Sequence, residues 1–191
     1  MNPIDDLKTL SSVDAWVWDQ LIRAPHDRQS ALKWPAFATV GEGGAPQARV
    51  VVLRAADRAG RTLDVYTDMR SAKVTELSQN PHTALLFFDQ RHMVQVRVRG
   101  ETRIISDGPQ RDQVLAGMTA RGRRDYATTR APGTPLPDAG VSYEDQLAND
   151  HFCILRITVE AIDWLSLSRS GHRRAIIDYR AVPPAMDWRV P

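Results

Sequence analysis

Between Gln47 and Gly100 the chain sets cationic and hydroxyl side chains wherever an apolar run ends or a helix begins. Arg49 opens the run Val50-Val51-Val52-Leu53-Arg54, and Val65-Tyr66-Thr67-Asp68 follows. A helix start comes at Ser71-Ala72-Lys73, then Asn80-Pro81 and the apolar stretch 83–88. The segment closes on Val94-Gln95-Val96-Arg97-Val98-Arg99-Gly100, alternating with period two. Strands ending in such groups hold a phosphate beside an apolar wall, so a phosphorylated ligand is the leading expectation.

The rest of the chain fits hairpins with few crossover helices. Residues 12–22 read as an amphipathic helix with Ser12 as its N-cap, and 26–32 add a helical turn before Trp34-Pro35. Strands are expected over 37–40 and 49–54, joined as a hairpin through the glycine-rich turn 41–46, and over 62–67 after the turn 57–60. A short helix over 71–78 ends at Asn80-Pro81, because proline cannot continue it. Residues 83–88 are nearly all apolar, as in a central strand covered on both faces, and Gly100 marks a bulge or kink between 94–99 and 101–105. A helix over 107–120 leads to a long polar loop, 121–145, and strands over 152–158, 161–166 and 174–179 end the chain. The predicted class is mainly β (α+β): an antiparallel split β-barrel with peripheral helices, one domain over 1–191 whose N-terminal helical extension covers about 1–33.

Composition excludes several functions. Twenty-five basic residues against 23 acidic give a net charge of +2, which argues against nucleic acid as a partner. Arg121-Gly122-Arg123-Arg124 lacks the interleaved aromatic residues of a nucleic-acid patch. Cys153 is the sole cysteine, so no disulfide can form within the chain and a reducing compartment fits. Residues 1–6 carry neither the basic nor the apolar part of a signal peptide, and no run approaches a membrane span, so a cytoplasmic location is expected. The five histidines lack metal-ligand spacing, and no nucleophile elbow, P-loop or dinucleotide-binding glycine pattern is present.

Three clusters remain as candidates. Arg70 and Lys73 in the first turn of a helix read alone as two solvated cations. With the Ser71 hydroxyl and the free N–H groups they can instead share an anion, and Arg49 and Thr67 at neighbouring strand ends favour the second reading. Gln95 can both donate to and accept from the edge of a heterocycle, or simply face water. Trp164 with the run Ser168-Arg169-Ser170-Gly171-His172-Arg173-Arg174 offers a flat wall, two adjacent guanidiniums after the glycine and an imidazole, or a plain charged turn.

From about Phe37 to Gly100, and again from Trp164 onward, these residues resemble the pyridoxamine 5′-phosphate oxidase family of flavin-binding split barrels. The matching pieces are Arg49 to Arg54, Tyr66-Thr67, Ser71-Ala72-Lys73, Asn80-Pro81 with Ala84 and Leu86-Phe87, Gln95-Val96-x-Val98-x-Gly100, and Trp164 followed by His172-x-Arg174. The resemblance implies a homodimer with flavin mononucleotide (FMN) at the subunit interface, a small-molecule substrate and oxidoreductase activity. Carried over, Arg49, Thr67, Ser71 and Lys73 would hold the FMN phosphate. Val50, Val51 and Val52 would present backbone to the ring, Arg54 would lie near its reactive edge, and Tyr66, Gln95, Trp164 and Arg174 would complete the cofactor site. His172 and Arg54 are the catalytic candidates, and Arg121 with His172 the substrate contacts. Departures from the family pattern are plain: Ala72 replaces an arginine, and two of the three substrate-phosphate positions become Gly117 and Asp125. Alternatives are a flavin or deazaflavin-dependent reductase, or a non-catalytic FMN-binding module.

Overall fold

The computed structural model describes residues 3–143, 150–168 and 171–191. Helix α1 (Leu10–Arg23) is followed by β1 (Ala36–Val40), β2 (Pro46–Val50), β3 (Leu53–Asp57), β4 (Thr62–Asp68), α2 (Ala72–Gln79) and β5 (His82–Asp89). Then come β6 (Val94–Ile105), α3 (Pro109–Gly117), α4 (Ala120–Arg124), β7 (Phe152–Ser166), β8 (Arg173–Asp178) and β9 (Ala185–Arg189). The strands form one antiparallel sheet with the path β2-β1-β5-β6-β7-β4-β3, and β8 and β9 continue from β7. The fold is α+β and antiparallel, as the hairpin spacing predicts. Among the described residues the sheet does not close on itself.

Strand β7 divides the sheet. Its first half pairs with β4 and the far end of β6, and its second half pairs with the near end of β6 and with β8. The turning point is a bulge: Arg99 faces Ala161 and Gly100 faces Val159, so Glu160 has no opposite number. Gly100 is required here because a Cβ on it would lie 1.9 Å from the Thr158 carbonyl oxygen. The expected strands 152–158 and 161–166 are thus one bent strand. On its core side Val96, Val98, Ile162 and Trp164 pack with Phe37, Leu85 and Phe87 into the main hydrophobic cluster.

Helix α1 is amphipathic, burying Val13, Val17, Trp18 and Leu21 against the sheet. Its cap is Thr9, one turn earlier than expected. Ser12 sits at the third helical position, and each residue's backbone N–H donates to the other's hydroxyl at 3.1 Å. A buried network docks the helix: Trp18 Nε1 donates to Tyr179 Oη at 2.8 Å, Tyr179 Oη donates to Asp14, and Arg58 meets Asp14 Oδ2 at 2.8 Å. The turn expected over 26–32 reduces to a 3-10 turn at Ala31–Lys33.

Two further expectations fail in informative ways. The run 49–54 is not one strand. β2 pairs with β1 and β3 with β4, at opposite ends of the sheet path, and Val51 N–H turns aside to the Pro35 carbonyl at 3.0 Å. The stretch 83–88 is not covered on both faces either, since Leu86 and Phe88 are 42% and 45% exposed while Leu85 and Phe87 are buried. The helix expected over 107–120 is α3, and α4 interrupts the loop placed at 121–145, whose last two residues lie outside the described ones. Strand β9 has no counterpart in the sequence reading. None of the described helices is long and apolar enough to cross a membrane.

Candidate functional site

The first group of candidate residues gathers where β4 runs into α2. Thr67 stands opposite Cys153 on the core side of β4 and is buried. Ser71 precedes α2 without capping it; its hydroxyl donates to the Asp68 carbonyl at 2.7 Å and lies 3.3 Å from Thr67 Oγ1. Lys73 Nζ donates to Thr67 Oγ1 at 2.9 Å. Arg49 reaches the same place from β2, where its guanidinium donates to Glu76 Oε2 at 2.9 Å and to the Thr39 hydroxyl. Burial, and then the Arg49 guanidinium, hold the Lys73 ammonium below its usual pKa. Two cations and two hydroxyls therefore converge with Glu76 as the nearby counter-charge, an arrangement that a multiply charged oxyanion would relieve. Burial pushes the neighbouring Cys153 thiol up to about 12, so it contributes no nucleophile.

Arg70 takes no part in this cradle. It grips Asp68 through Nε at 3.0 Å and Nη2 at 2.7 Å and ties the loop down at the Thr128 carbonyl, 2.8 Å away.

The second group lies on the opposite, outer face of the sheet. Gln95 stands across from Phe88 on β5 and Leu165 on β7, and Leu165 stands across from Arg174 on β8. The next row holds Val50, Ala36, Leu86, Arg97 and Asp163. This face is an open groove of about 910 Å³, apolar at its centre and flanked by arginines. Val50 is 66% exposed here, Val52 is half-buried and Val51 turns into the core.

Trp164 is not on this face. It is fully buried, opposite Val96 and Ala175, in edge contact with Trp188 and under the Arg173 guanidinium. Successive strand residues face opposite sides of the sheet, so Leu165 and not Trp164 stands beside Gln95. The flat wall expected from Trp164 is absent from this face.

The remaining candidates are scattered. Arg54 is exposed at the start of β3 with its guanidinium 5.9 Å from the Tyr66 ring. Tyr66 and Tyr126 both pack edge-on against Phe152, at 5.3 and 5.1 Å, in a satellite cluster with Val114 and Leu115 of α3. Burial raises both phenols, and Arg54 partly offsets this at each. Arg121 is exposed on α4, and His172 is exposed just before β8. Arg169 and Ser170 of the charged run lie outside the described residues. Thr39, Glu76, Asp163 and Leu165 belong to the site surroundings and were not singled out by sequence. Period-two alternation could have flagged Leu165, but nothing local flags the distant pair Arg49–Glu76. Among the described residues no group of three or more His, Cys, Asp or Glu side chains gathers as a metal site.

Residues 15–106 match the family described as pyridoxamine 5′-phosphate oxidase, FMN-binding domain. A pyridoxine/pyridoxamine 5′-phosphate oxidase from Gluconobacter oxydans (strain 621H) is 31% identical over 147 residues, spanning 76% of this chain and 69% of that protein. The chain belongs to this family. A pyridoxine/pyridoxamine 5′-phosphate oxidase 2 from Arabidopsis thaliana is 26% identical over 165 residues, 78% of this chain and 83% of its own. Among solved structures, an FMN-binding protein related to pyridoxamine 5′-phosphate oxidase from Nostoc punctiforme superposes with a TM-score of 0.75 at 20% identity, covering 93% of this chain and 96% of that one. PhzG from Burkholderia lata gives 0.72 at 16% identity, covering 100% and 97%. At those identities the two structures support the fold.

Proposed function

We propose that this protein is a homodimeric, FMN-dependent oxidoreductase acting on a small molecule, with each cofactor site built from two copies of the chain. One observation carries the reading. The anion cradle of Thr67, Ser71, Lys73 and Arg49 and the ring-recognition row of Gln95 and Arg174 lie on opposite faces of one sheet. A phosphorylated heterocycle that needs both groups is served only when the cradle of one copy meets the outer face of another. The exposed Leu86 and Phe88 on that face fit burial by a partner.

The donor set fits FMN. Lys73 and Arg49 supply charge to the phosphate and Thr67 and Ser71 supply hydroxyls, while Gln95 offers both a donor and an acceptor to a ring edge. Bound FMN would supply two-electron redox chemistry, which no side chain of this chain provides. The chain's own contribution is to hold the phosphate, orient the ring and exclude water along the apolar groove. Of the two catalytic candidates, His172 has an imidazole able to accept a proton and stands two residues before Arg174, while Arg54 could serve only as a fixed cation. A cytoplasmic location accords with this reading.

A non-catalytic FMN carrier is the second reading, favoured by one observation: Arg121 alone remains of the three substrate-phosphate positions, and it is exposed on α4. Purified protein should be yellow with a flavin absorbance band, and a deazaflavin spectrum or no chromophore after reconstitution would refute the cofactor assignment. Anaerobic bleaching by a reduced small-molecule donor separates the oxidoreductase from the carrier.

A further inference from the structure

Asp163 sits on the outer face of β7, in the middle of the groove, with its side chain only 13% exposed. Its carboxylate is forked by Arg174: Nε donates to Oδ1 at 3.0 Å and Nη2 to Oδ2 at 2.8 Å. Arg97, directly across on β6, donates to the same Oδ2 through Nη2. Burial pushes this carboxyl up, but the two guanidinium partners more than offset it and hold the group below the usual carboxylate range. Asp163 therefore remains an anion between two cations in a row otherwise made of Val50, Ala36, Leu86 and Ile176.

The fork matters because a guanidinium is rigid and planar. Fixing its Nε–Nη2 edge fixes the plane and the direction of the remaining Nη1 donors. Arg174 is the residue across β7 from Gln95, with only Leu165 between them. Without a carboxylate at 163 the long side chain would be free to sample rotamers and to swing toward solvent.

We infer that Asp163 is a positioning residue: it aims Arg174 at the flavin beside Gln95 and reduces the charge of the Arg97–Arg174 pair from two units to one. This rests on the FMN reading proposed above and extends it to a residue that touches no cofactor. Two consequences of removing the carboxylate run in opposite directions. Loss of orientation weakens FMN binding. The uncompensated second charge favours the more electron-rich, reduced form of whatever flavin is bound, moving its midpoint potential positive. Loss of fold alone would lower affinity with no such shift.

The test is Asp163→Asn, measured in the full chain by FMN titration and by dye-equilibrated potentiometry. The dissociation constant should rise about tenfold, as expected for loss of a charge-assisted bond pair, and the potential should move positive. In an Arg174→Gln background the same substitution should cost no further affinity, because there is no guanidinium left to aim. Asp163→Asn with affinity and potential unchanged, or with the full affinity loss persisting in Arg174→Gln, would overturn the positioning role alone. Wild-type protein that binds no FMN would remove this role and the flavin reading together.

Discussion

Replacing Lys73 by methionine should separate function from stability, and the size of each effect follows from its neighbours. In the folded protein Nζ makes one bond to Thr67 Oγ1 at 2.9 Å, and losing it costs about 1 kcal/mol. Against that, the ammonium is half withdrawn from water and held beside the Arg49 guanidinium, so removing its charge returns a comparable amount. Net stability should change by less than about 1 kcal/mol in urea unfolding. Phosphate recognition has no such compensation. A charge-assisted bond to a phosphate oxygen is worth about 1.5–3 kcal/mol, so FMN affinity should fall roughly 10- to 150-fold. The pH dependence carries a second signature. Because the folded pKa of Lys73 lies below its ordinary 10.5, the unfolded chain binds more protons between the two values, and stability rises with pH across that window. FMN binding runs the other way: the phosphate favours the charged lysine, so affinity falls as pH climbs through the folded pKa. Both trends should vanish in Lys73→Met. Fluorescence titration at several pH values measures affinity, and a variant that loses more than about 2 kcal/mol of stability while binding FMN normally would refute the reasoning.

Other outcomes follow from specific packing. Gly100→Ala would set a Cβ 1.9 Å from the Thr158 carbonyl oxygen, so β6 must move away, which should cost about 2–4 kcal/mol in urea unfolding; a loss under about 0.5 kcal/mol would mean the bulge adapts freely. Asp14→Ala strips partners from Tyr179 Oη and Arg58 and should cost about 2 kcal/mol by thermal unfolding, with an unchanged midpoint counting against the buried network as what docks α1. Leu86→Glu puts a charge on the outer face and should convert a dimer to monomer in light scattering, whereas an unchanged mass would place the interface elsewhere.

Much of the fold could be read from local pattern. Alternation at Val94, Val96 and Val98 gave the inward face of β6, and Asn80-Pro81 gave the end of α2. The failures came from long-range geometry. Nothing local says that 49–54 must break so that β2 and β3 can serve opposite ends of the sheet. The apolar run 83–88 looks doubly buried because Leu86 and Phe88 are as apolar as Leu85 and Phe87, although they stand on the exposed outer face. At the site, Thr67, Ser71 and Lys73 were legible because they are close in sequence around one helix start. Trp164 lies one position from the residue that stands beside Gln95, so its indole faces the core and not the groove. Glu76 and Asp163 were missed because a carboxylate becomes informative only when its arginine is seen beside it.

The central claim is that the cradle of one copy and the outer face of another hold a single FMN. Native mass spectrometry after reconstitution tests this most directly. The account predicts a dimer carrying two FMN molecules, with flavin lost whenever Leu86→Glu separates the subunits. A monomer that keeps its flavin would contradict it.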